Sequence, residues 1–248
     1  MIEEERRFVA TPEKGEVSAL LVRPEGATHG LVLGHGASTN MRHANLRAIA
    51  ERMAEVGIAT FRYNFPYMEH GRGRDSQAVC VETVRSAVAA AREAMPGLPM
   101  LAGGHSFGGR MTSHAAAESP LDGVVGLVFF AFPLHQPGKP DSKRADHLNA
   151  VTVPMLFLSG TRDELADMSL LRPACEALGP RATLHALDTA DHGFKVLKRS
   201  RATAEDVHAE MARVVRDWAP PAPVTAATSN PAGAPSPRPG ARGRRRGG

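Results

Sequence analysis

The sequence predicts an α/β fold, a mostly parallel twisted sheet with helices on both faces and no sizeable lid domain. Short apolar runs alternate with segments of helical periodicity along most of the 248 residues, as in parallel sheets whose two faces are buried. The chain is long enough to bury a full core. No internal repeat or long helical insertion interrupts the alternation, so a single continuous sheet is the simplest arrangement.

The strands are predicted from apolar runs bounded by turn residues. "RRFVAT" and "EVSALLVRP" open the chain and are expected to form an antiparallel pair. The later runs are rich in valine, isoleucine, leucine and phenylalanine, as buried strands are. They lie at 30–36, 58–64, 98–104, 123–131, 153–160 and 182–188.

The helices are predicted from helical spacing of apolar residues. In segment 41–57, Leu46, Ile49, Ala50 and Met53 fall on one face, and Gly57 is suited to end the helix. The remaining helices are expected near 75–95, 107–118, 166–178 and 201–218. Two long segments, 65–76 and 132–150, show no regular pattern, and irregular loops of this length are often functional.

The positive charge is concentrated at the end of the chain. From Ala219 onward the sequence is rich in proline, alanine, glycine and serine and has five arginines but no acidic residue, a composition that predicts disorder. We therefore expect one domain over residues 1–218 and a tail over 219–248. The rest of the chain has 25 basic and 26 acidic residues and is close to neutral.

The arginine-rich tail has two interpretations. It is either a contact for nucleic acid or acidic partners, or a solvated and dispensable segment. The second is favoured because no aromatic residue is interleaved with the arginines. Nucleic-acid binding is thus expected, if anywhere, only through the tail, and nothing in the sequence indicates an oligomeric state.

The cysteines and the amino terminus favour a cytoplasmic protein. Cys80 and Cys175 match no metal or redox spacing and are interpreted as small apolar core residues in a reducing compartment. The first residues form no apolar signal sequence, and no run approaches the ~20 apolar residues of a membrane span. No membrane association is expected.

The segment Gly104-His105-Ser106-Phe107-Gly108 lies between a predicted strand and a predicted helix. This G-x-S-x-G pattern is typical of a serine held on a sharp, strained turn above a sheet. The turn brings the residues two before and two after the serine together, which requires glycine at both places. Phosphate-binding loops are excluded, because neither a Lys-Ser/Thr pair nor the G-x-G-x-x-G spacing is present.

A nucleophilic serine needs a base and an acid that orients the base, in chain order serine, acid, histidine for this type of turn. Asp163 follows the predicted strand 153–160, and His192 follows the strand 182–188. Asp163 and His192 are therefore the candidate acid and base for Ser106.

Alternatives for each partner stay open at this point. Asp163 is also suited to cap the next helix, and His192 to be an ordinary loop histidine. His105 is interpreted as a neighbour of Ser106 and not as its base. Four other carboxylates are possible orienting acids: Glu164, Asp167, Asp188 and Asp191.

The oxyanion of an acyl-transfer reaction also needs backbone donors. The N–H of Phe107, directly after the serine, is the first candidate. The second is expected in the loop "LGHGAST", residues 33–39, where Ala37 is the first choice and Ser38 the alternative. Ser38 or Asn40 is equally suited to cap the following helix.

These segments together resemble the α/β-hydrolase superfamily and its dienelactone-hydrolase-like branch. They are most similar to compact bacterial α/β-hydrolase-like proteins related to testis-expressed and histone-acetyltransferase-complex hydrolase-like domains. The segments with the resemblance span residues 28–196: "GHGAST", "IATFRYNFPYMEHGRGR", "GGHSFGGRMTSH", "LVFFAFPLHQPGKP", "VPMLFLSGTRDE" and "DHGFK".

The resemblance implies an α/β-hydrolase fold with Ser106 as nucleophile, Asp163 as acid, His192 as base and "GHGAS" as the oxyanion loop. Dienelactone hydrolases themselves carry cysteine where this chain has Ser106, so lactone cleavage is not implied. The expected reaction is hydrolysis of a small-molecule carboxylic ester or thioester through an acyl-enzyme, with no cofactor or metal. The alternatives are a non-catalytic interaction module and, ranked lower, a serine peptidase.

Two segments shared with these relatives, "RYNFPY" and "FPLHQPGKP", follow predicted strands and are expected at the catalytic rim. Arg62, Tyr67, His135 and Lys139 on these segments are suited to contact a carboxylate or phosphate on a substrate. The favoured interpretation is that the prolines simply shape the loops.

Overall fold

The computed structural model describes residues 2–71 and 73–221. Its strands are β1 (Glu3–Thr11), β2 (Gly15–Val22), β3 (His29–Gly34), β4 (Ile58–Tyr63), β5 (Met100–His105), β6 (Val124–Phe130), β7 (Met155–Gly160) and β8 (Ala182–Leu187). Its α-helices are α1 (Ala44–Glu55), α2 (Pro66–Glu69), α3 (Gln77–Ala94), α4 (Phe107–Glu118), α5 (Met168–Ala177) and α6 (Val207–Trp218). Two 3₁₀ helices span Lys143–Ala150 and Gly179–Arg181.

The strands form one sheet in the order β1-β2-β4-β3-β5-β6-β7-β8. β1 pairs with β2 and β2 with β4 in antiparallel fashion, and all other neighbours are parallel. The predicted antiparallel opening and the mostly parallel sheet are both confirmed. Because the parallel strands share one direction, their carboxyl ends lie along a single edge, where ligands bind in such sheets.

Each face of the sheet is covered by its own set of helices. α1 and α6 pack on one face through Leu46, Ile49, Met211 and Val215. α3, α4 and α5 pack on the other through side chains that include Val84, Met111 and Leu171. Alternation along β3 sends Leu31 and Leu33 to the first face and Val32 to the second, as expected for a strand buried on both sides. The sheet is therefore fixed from both faces.

The helix boundaries differ from the predicted ones where side chains cap the ends. The Asp206 side chain accepts a hydrogen bond from the Ala209 N–H, so α6 begins at Val207 and not near 201. Asp167 caps α5 in the same way. The interpretation of 65–76 and 132–150 as wholly irregular is wrong, because each contains a short helix, and proline in the first turn suits the one at Pro66–Glu69.

Cys80 and Cys175 are buried free thiols, as expected for apolar core residues. Within 2–71 and 73–221, no helix has the length and apolar character to cross a membrane. Of the predicted tail, Ala219 to Pro221 are described, and the Pro220 carbonyl is 2.9 Å from His29 Nε2. The remainder, 222–248, lies outside the described residues, so the disorder prediction stays a prediction.

Candidate active site

The turn between β5 and α4 has the strained backbone that the G-x-S-x-G pattern predicts. Ser106 has φ 50° and ψ −113°, a conformation that costs a non-glycine residue about 1–3 kcal/mol. A Cβ on Gly104 would lie 2.5 Å from the Gly34 oxygen, and one on Gly108 would lie 2.3 Å from the same atom. Only glycine fits at either position, because β3, the turn and the start of α4 are in direct contact.

The structure brings Ser106, His192 and Asp163 together in one hydrogen-bonded chain. His192 Nε2 is 2.8 Å from Ser106 Oγ, and His192 Nδ1 is 2.9 Å from each carboxylate oxygen of Asp163. An ionised carboxylate only accepts hydrogen bonds, so Nδ1 carries the proton and Nε2 is free to accept from the serine hydroxyl. The Asp163 side chain is inaccessible to solvent and the His192 side chain is 25% exposed.

The ends of β7 and β8 lie close enough to place the acid beside the histidine. The N–H groups of Thr161 and Arg162 donate to the carbonyls of Leu187 and Ala190 at 3.0 and 2.9 Å. A Cβ on Gly160 would lie 2.2 Å from the Ala190 oxygen, so glycine is required there. Asp163 Oδ1 also accepts from the Leu165 N–H at 2.8 Å, which fixes the carboxylate that faces His192.

The other carboxylates considered from sequence have separate structural partners. Asp167 accepts from the Ser169 N–H at 2.8 Å and caps α5. Asp191 Oδ1 accepts from the N–H groups of Gly193 and Lys195 at 2.9 Å each and shapes the His192 loop. Asp188 Oδ2 accepts from the Ala202 N–H at 2.7 Å. Glu164 makes no hydrogen bond to His192 among the described residues.

His105 contacts the backbone of His192 and not the serine hydroxyl. Its Nε2 is 3.0 Å from the His192 carbonyl oxygen, so Nε2–H is the donor. His105 is only 7% exposed, and burial lowers its pKa to about 4. His105 is therefore an uncharged hydrogen-bond donor at neutral pH. It holds the His192 loop, the segment around His192 that follows β8, against the end of β5. The adjacency of His105 to Ser106 was its only signal in the sequence.

The loop after β3 is held in place by two side chains. His35 Nδ1–H donates to the Gly36 carbonyl at 2.7 Å, and its Nε2 accepts from the Phe65 N–H at 3.1 Å. This bonding fits a neutral ring, because burial lowers the pKa of His35 to about 4. The Tyr67 hydroxyl donates to the Ala37 carbonyl at 3.0 Å.

These two bonds fix the direction of the Ala37 and Ser38 N–H groups. The carbonyl and N–H of one peptide unit point in opposite directions. Fixing the Gly36 carbonyl therefore orients the Ala37 N–H, and fixing the Ala37 carbonyl orients the Ser38 N–H. Neither N–H donates to any residue in 2–71 or 73–221. The Phe107 N–H lies at the first position of α4, where a helix has no acceptor of its own.

The rim residues proposed from sequence have mainly structural contacts. The expectation that the Arg62 side chain is available to a substrate at the catalytic rim is wrong. Arg62 is 1% exposed, pairs with Glu3 and donates to the Met41 carbonyl at 3.2 Å. His135 Nδ1 lies 3.0 Å from the Gln136 oxygen, and its Nε2 accepts from the Asp167 N–H at 3.0 Å.

Lys139 closes a turn through its backbone, since its N–H donates to the Gln136 carbonyl at 3.1 Å. Tyr67, as described above, holds the loop after β3. The favoured interpretation, in which these segments shape loops, thus agrees with the contacts of Tyr67 and His135.

An open cavity of about 480 Å³ adjoins His192, a size that suits a small molecule. It is lined by Pro137, Arg162, Glu164, Leu165, Asp191, Gly193 and Lys195. In the described part of the chain, no three histidine, cysteine or acidic side chains are grouped as metal ligands would be.

Comparison with known proteins identifies the family of this chain. A family model described as an alpha/beta hydrolase domain matches residues 27–220. XC6422 from Xanthomonas campestris, described as an α/β serine hydrolase without lid, is 22% identical with a TM-score of 0.67 over 89% of this chain and 97% of that one. The dienelactone hydrolase from Anabaena variabilis is 19% identical with a TM-score of 0.66 over 87% and 96%.

The esterase Pf2001 from Pyrococcus furiosus is 14% identical, with a TM-score of 0.67 over 88% of this chain and 93% of that one. At these identities the solved structures show a common fold. With the family model covering most of the chain, the fold and the turn at Ser106 lead to one conclusion: the chain belongs to the α/β-hydrolase family.

Proposed function

We propose that this protein is a serine hydrolase that cleaves small carboxylic esters or thioesters through an acyl-enzyme on Ser106. The hydrogen-bonded chain from Ser106 Oγ through His192 to Asp163 carries the proposal. The esterase and serine hydrolase among the solved structures of the same fold support it.

In the first half of the proposed reaction, His192 Nε2 removes the Ser106 hydroxyl proton while Oγ attacks the substrate carbonyl carbon. The carbonyl π electrons move to oxygen, and the N–H groups of Phe107 and Ala37 stabilise this oxyanion, with Ser38 as the alternative second donor. The intermediate collapses, and His192 gives the proton to the departing alkoxide or thiolate.

In the second half, His192 Nε2 removes a proton from water as the water oxygen attacks the acyl carbon. Collapse of this intermediate returns the proton to Ser106 Oγ and releases the carboxylic acid. Asp163 keeps the proton on Nδ1 and stabilises the imidazolium formed in each half. Each backbone donor to the oxyanion is expected to contribute about 10²–10³ in rate.

The open cavity beside His192 supports a preference for short acyl groups, because nothing in the described residues encloses a long chain. The strained backbone of Ser106 and the buried carboxylate of Asp163 favour an enzyme over a non-catalytic interaction module, because such a module needs neither feature. Strain and a buried charge both reduce stability, and catalysis accounts for retaining them.

The test is a panel of 4-nitrophenyl esters and acyl thioesters with acyl chains of increasing length. Ser106→Ala is compared with the wild type, and Ser119→Ala, after the far end of α4, is the matched control. We expect turnover by the wild type and the control, and a loss of roughly 10⁴–10⁶-fold in kcat for Ser106→Ala. Equal rates for folded Ser106→Ala and wild type would contradict the proposal, as would inactivity of the wild type on the whole panel.

A further inference from the structure

Arg110, one helical turn after Ser106 on α4, has no anionic partner among the residues that the structure describes. Its Nε is buried and bonded to nothing in the described residues. Arg62 and Arg201 also have a buried Nε without an acceptor, but they are paired with Glu3 and Glu210. Within 2–71 and 73–221, Arg110 is thus the one arginine that combines a buried, unbonded Nε with the lack of a carboxylate.

A second cation, Arg144, is on the 3₁₀ helix Lys143–Ala150, which contacts α4 through a 2.7 Å hydrogen bond between Ser113 Oγ and His147 Nε2. Burial and the charge of Arg144 both lower the pKa of Arg110. The Arg144 guanidinium donates to the carbonyls of Pro133 and His135 at 3.5 and 2.9 Å. It forms no ion pair with any described residue. Two like charges at a partly buried place repel each other, and a bound anion would reduce that repulsion.

No carboxylate in the described part of the chain forms a salt bridge with either arginine, and the two histidines nearby are uncharged. His114 and His147 stack with ring centroids 3.7 Å apart. Burial lowers the pKa of each to about 4; Arg110 adds to the shift of His114, and His114 and then Arg110 add to that of His147. Both rings are therefore neutral at neutral pH. Asp146, in the same 3₁₀ helix, is exposed and pairs with neither arginine.

Both arginines belong to segments that also position the proposed catalytic groups. Side chains on a helix lean toward its N-terminus, so the Arg110 side chain leans toward the end of α4 that begins at Ser106. Arg144 is bonded to the His135 carbonyl, and the His135 N–H donates to the Leu165 carbonyl at 3.0 Å, two residues after Asp163. Arg110 is thus one helical turn from Ser106 on α4, and Arg144 is joined through His135 to the segment that carries Asp163.

We propose that Arg110 and Arg144 form an anion subsite beside Ser106, so that the substrate is a small ester or thioester bearing a carboxylate or phosphate group. This inference rests on the proposed function and names its substrate class. Guanidinium groups bind both anions through paired, charge-assisted hydrogen bonds. A bound anion would satisfy the buried Nε and relieve the repulsion between the two cations.

Anion binding is tested first without catalysis. Inorganic phosphate and, separately, succinate are titrated into the full-length Ser106→Ala protein while NMR follows the titration of His114 and His147. We expect either anion to raise the pKa of both rings, because a negative charge next to Arg110 favours the imidazolium. Arg110→Gln and Arg144→Gln should remove this response, and Lys143→Gln, which removes an adjacent exposed charge, should retain it.

Substrate choice is tested with matched esters. 4-Nitrophenyl hydrogen succinate is compared with its neutral methyl ester, and 4-acetoxyphenyl phosphate with phenyl acetate. We expect the anionic-to-neutral ratio of kcat/KM to fall about 10–100-fold in Arg110→Gln and in Arg144→Gln for at least one pair. Whether the succinate or the phosphate pair responds identifies the anion. Lys143→Gln should keep the wild-type ratio.

The two proposals fail separately. If Ser106 cleaves esters but the ratio is the same in wild type and both arginine variants, or the histidine titrations ignore both anions, the subsite is wrong and the hydrolase stands. If no ester is cleaved but phosphate or succinate shifts the histidines only when both arginines are present, the subsite stands and the proposed reaction is wrong.

Discussion

Replacing His105 by leucine is expected to lower kcat while the fold is retained. The His105 Nε2–H bond to the His192 carbonyl is 3.0 Å long and lies where His105 is 7% exposed. Its loss leaves a buried carbonyl without a partner, at a cost of about 1–3 kcal/mol. If the lost bond lets the segment that carries His192 move away, the fraction of molecules in which His192 can accept the Ser106 proton drops by about 5–150-fold.

The assay separates positioning from stability. kcat and KM are measured on the best ester of the panel, with active sites counted by fluorophosphonate titration. We expect the leucine variant to lose about 10–100-fold in kcat with little change in KM. His105→Gln keeps a side-chain N–H donor and should recover part of the rate. His29→Leu removes a similar histidine-carbonyl contact at the amino end of β3 and serves as control.

A merely structural role for His105 would change the unfolding temperature and the number of active sites, but not the rate per active site. The reasoning is refuted if folded His105→Leu has the wild-type kcat per titrated site. It is also refuted if the control loses as much rate as His105→Leu.

Three further predictions concern the same site. Gly108→Ala places a Cβ 2.3 Å from the Gly34 oxygen and should lower the free energy of unfolding by about 3 kcal/mol or prevent folding; an unchanged urea midpoint would contradict this. Tyr67→Phe removes the 3.0 Å hydrogen bond to the Ala37 carbonyl and should lower kcat about 5–50-fold in steady-state kinetics. A wild-type kcat in this variant would show that the loop after β3 needs no such bond. Burial lowers the pKa of His35 from 6.5 to about 4. Between these two pH values His35 binds a proton in the unfolded chain but not in the folded one. His35 alone should therefore reduce the free energy of unfolding by about 3 kcal/mol as the pH falls from 6.5 to 4. Urea unfolding at pH 7, 6 and 5 measures this slope, and stability that stays level or rises toward pH 5 would be the opposite result.

Much of the fold was predictable because the spacing of apolar residues along the sequence matches the faces that the helices and strands bury. The helix Phe107–Glu118 was predicted to the residue, and the buried face of α1 is the predicted one. The position of β4 between β2 and β3 was not predictable, since strand order depends on pairings between distant segments. The helix Pro66–Glu69 was missed because four residues are too few to show helical periodicity.

The candidate site was predictable where sheet topology alone decides it. Ser106, Asp163 and His192 follow parallel strands, whose carboxyl ends must share one edge. Arg62 also follows this rule along the backbone, but its side chain pairs with Glu3 on β1, a contact that spacing cannot show. The contact between α4, which carries Arg110, and the 3₁₀ helix, which carries Arg144, is likewise a tertiary one that no local pattern in the sequence records.

The central claim is that Ser106 is a nucleophile activated by His192 and Asp163. The most direct measurement is the intact mass of the folded protein after treatment with a fluorophosphonate, followed by peptide mapping. The account predicts one adduct per chain, located on Ser106, absent from Ser106→Ala and formed far more slowly in His192→Ala. Failure of the folded wild-type protein to react, or an adduct on another residue, would contradict it.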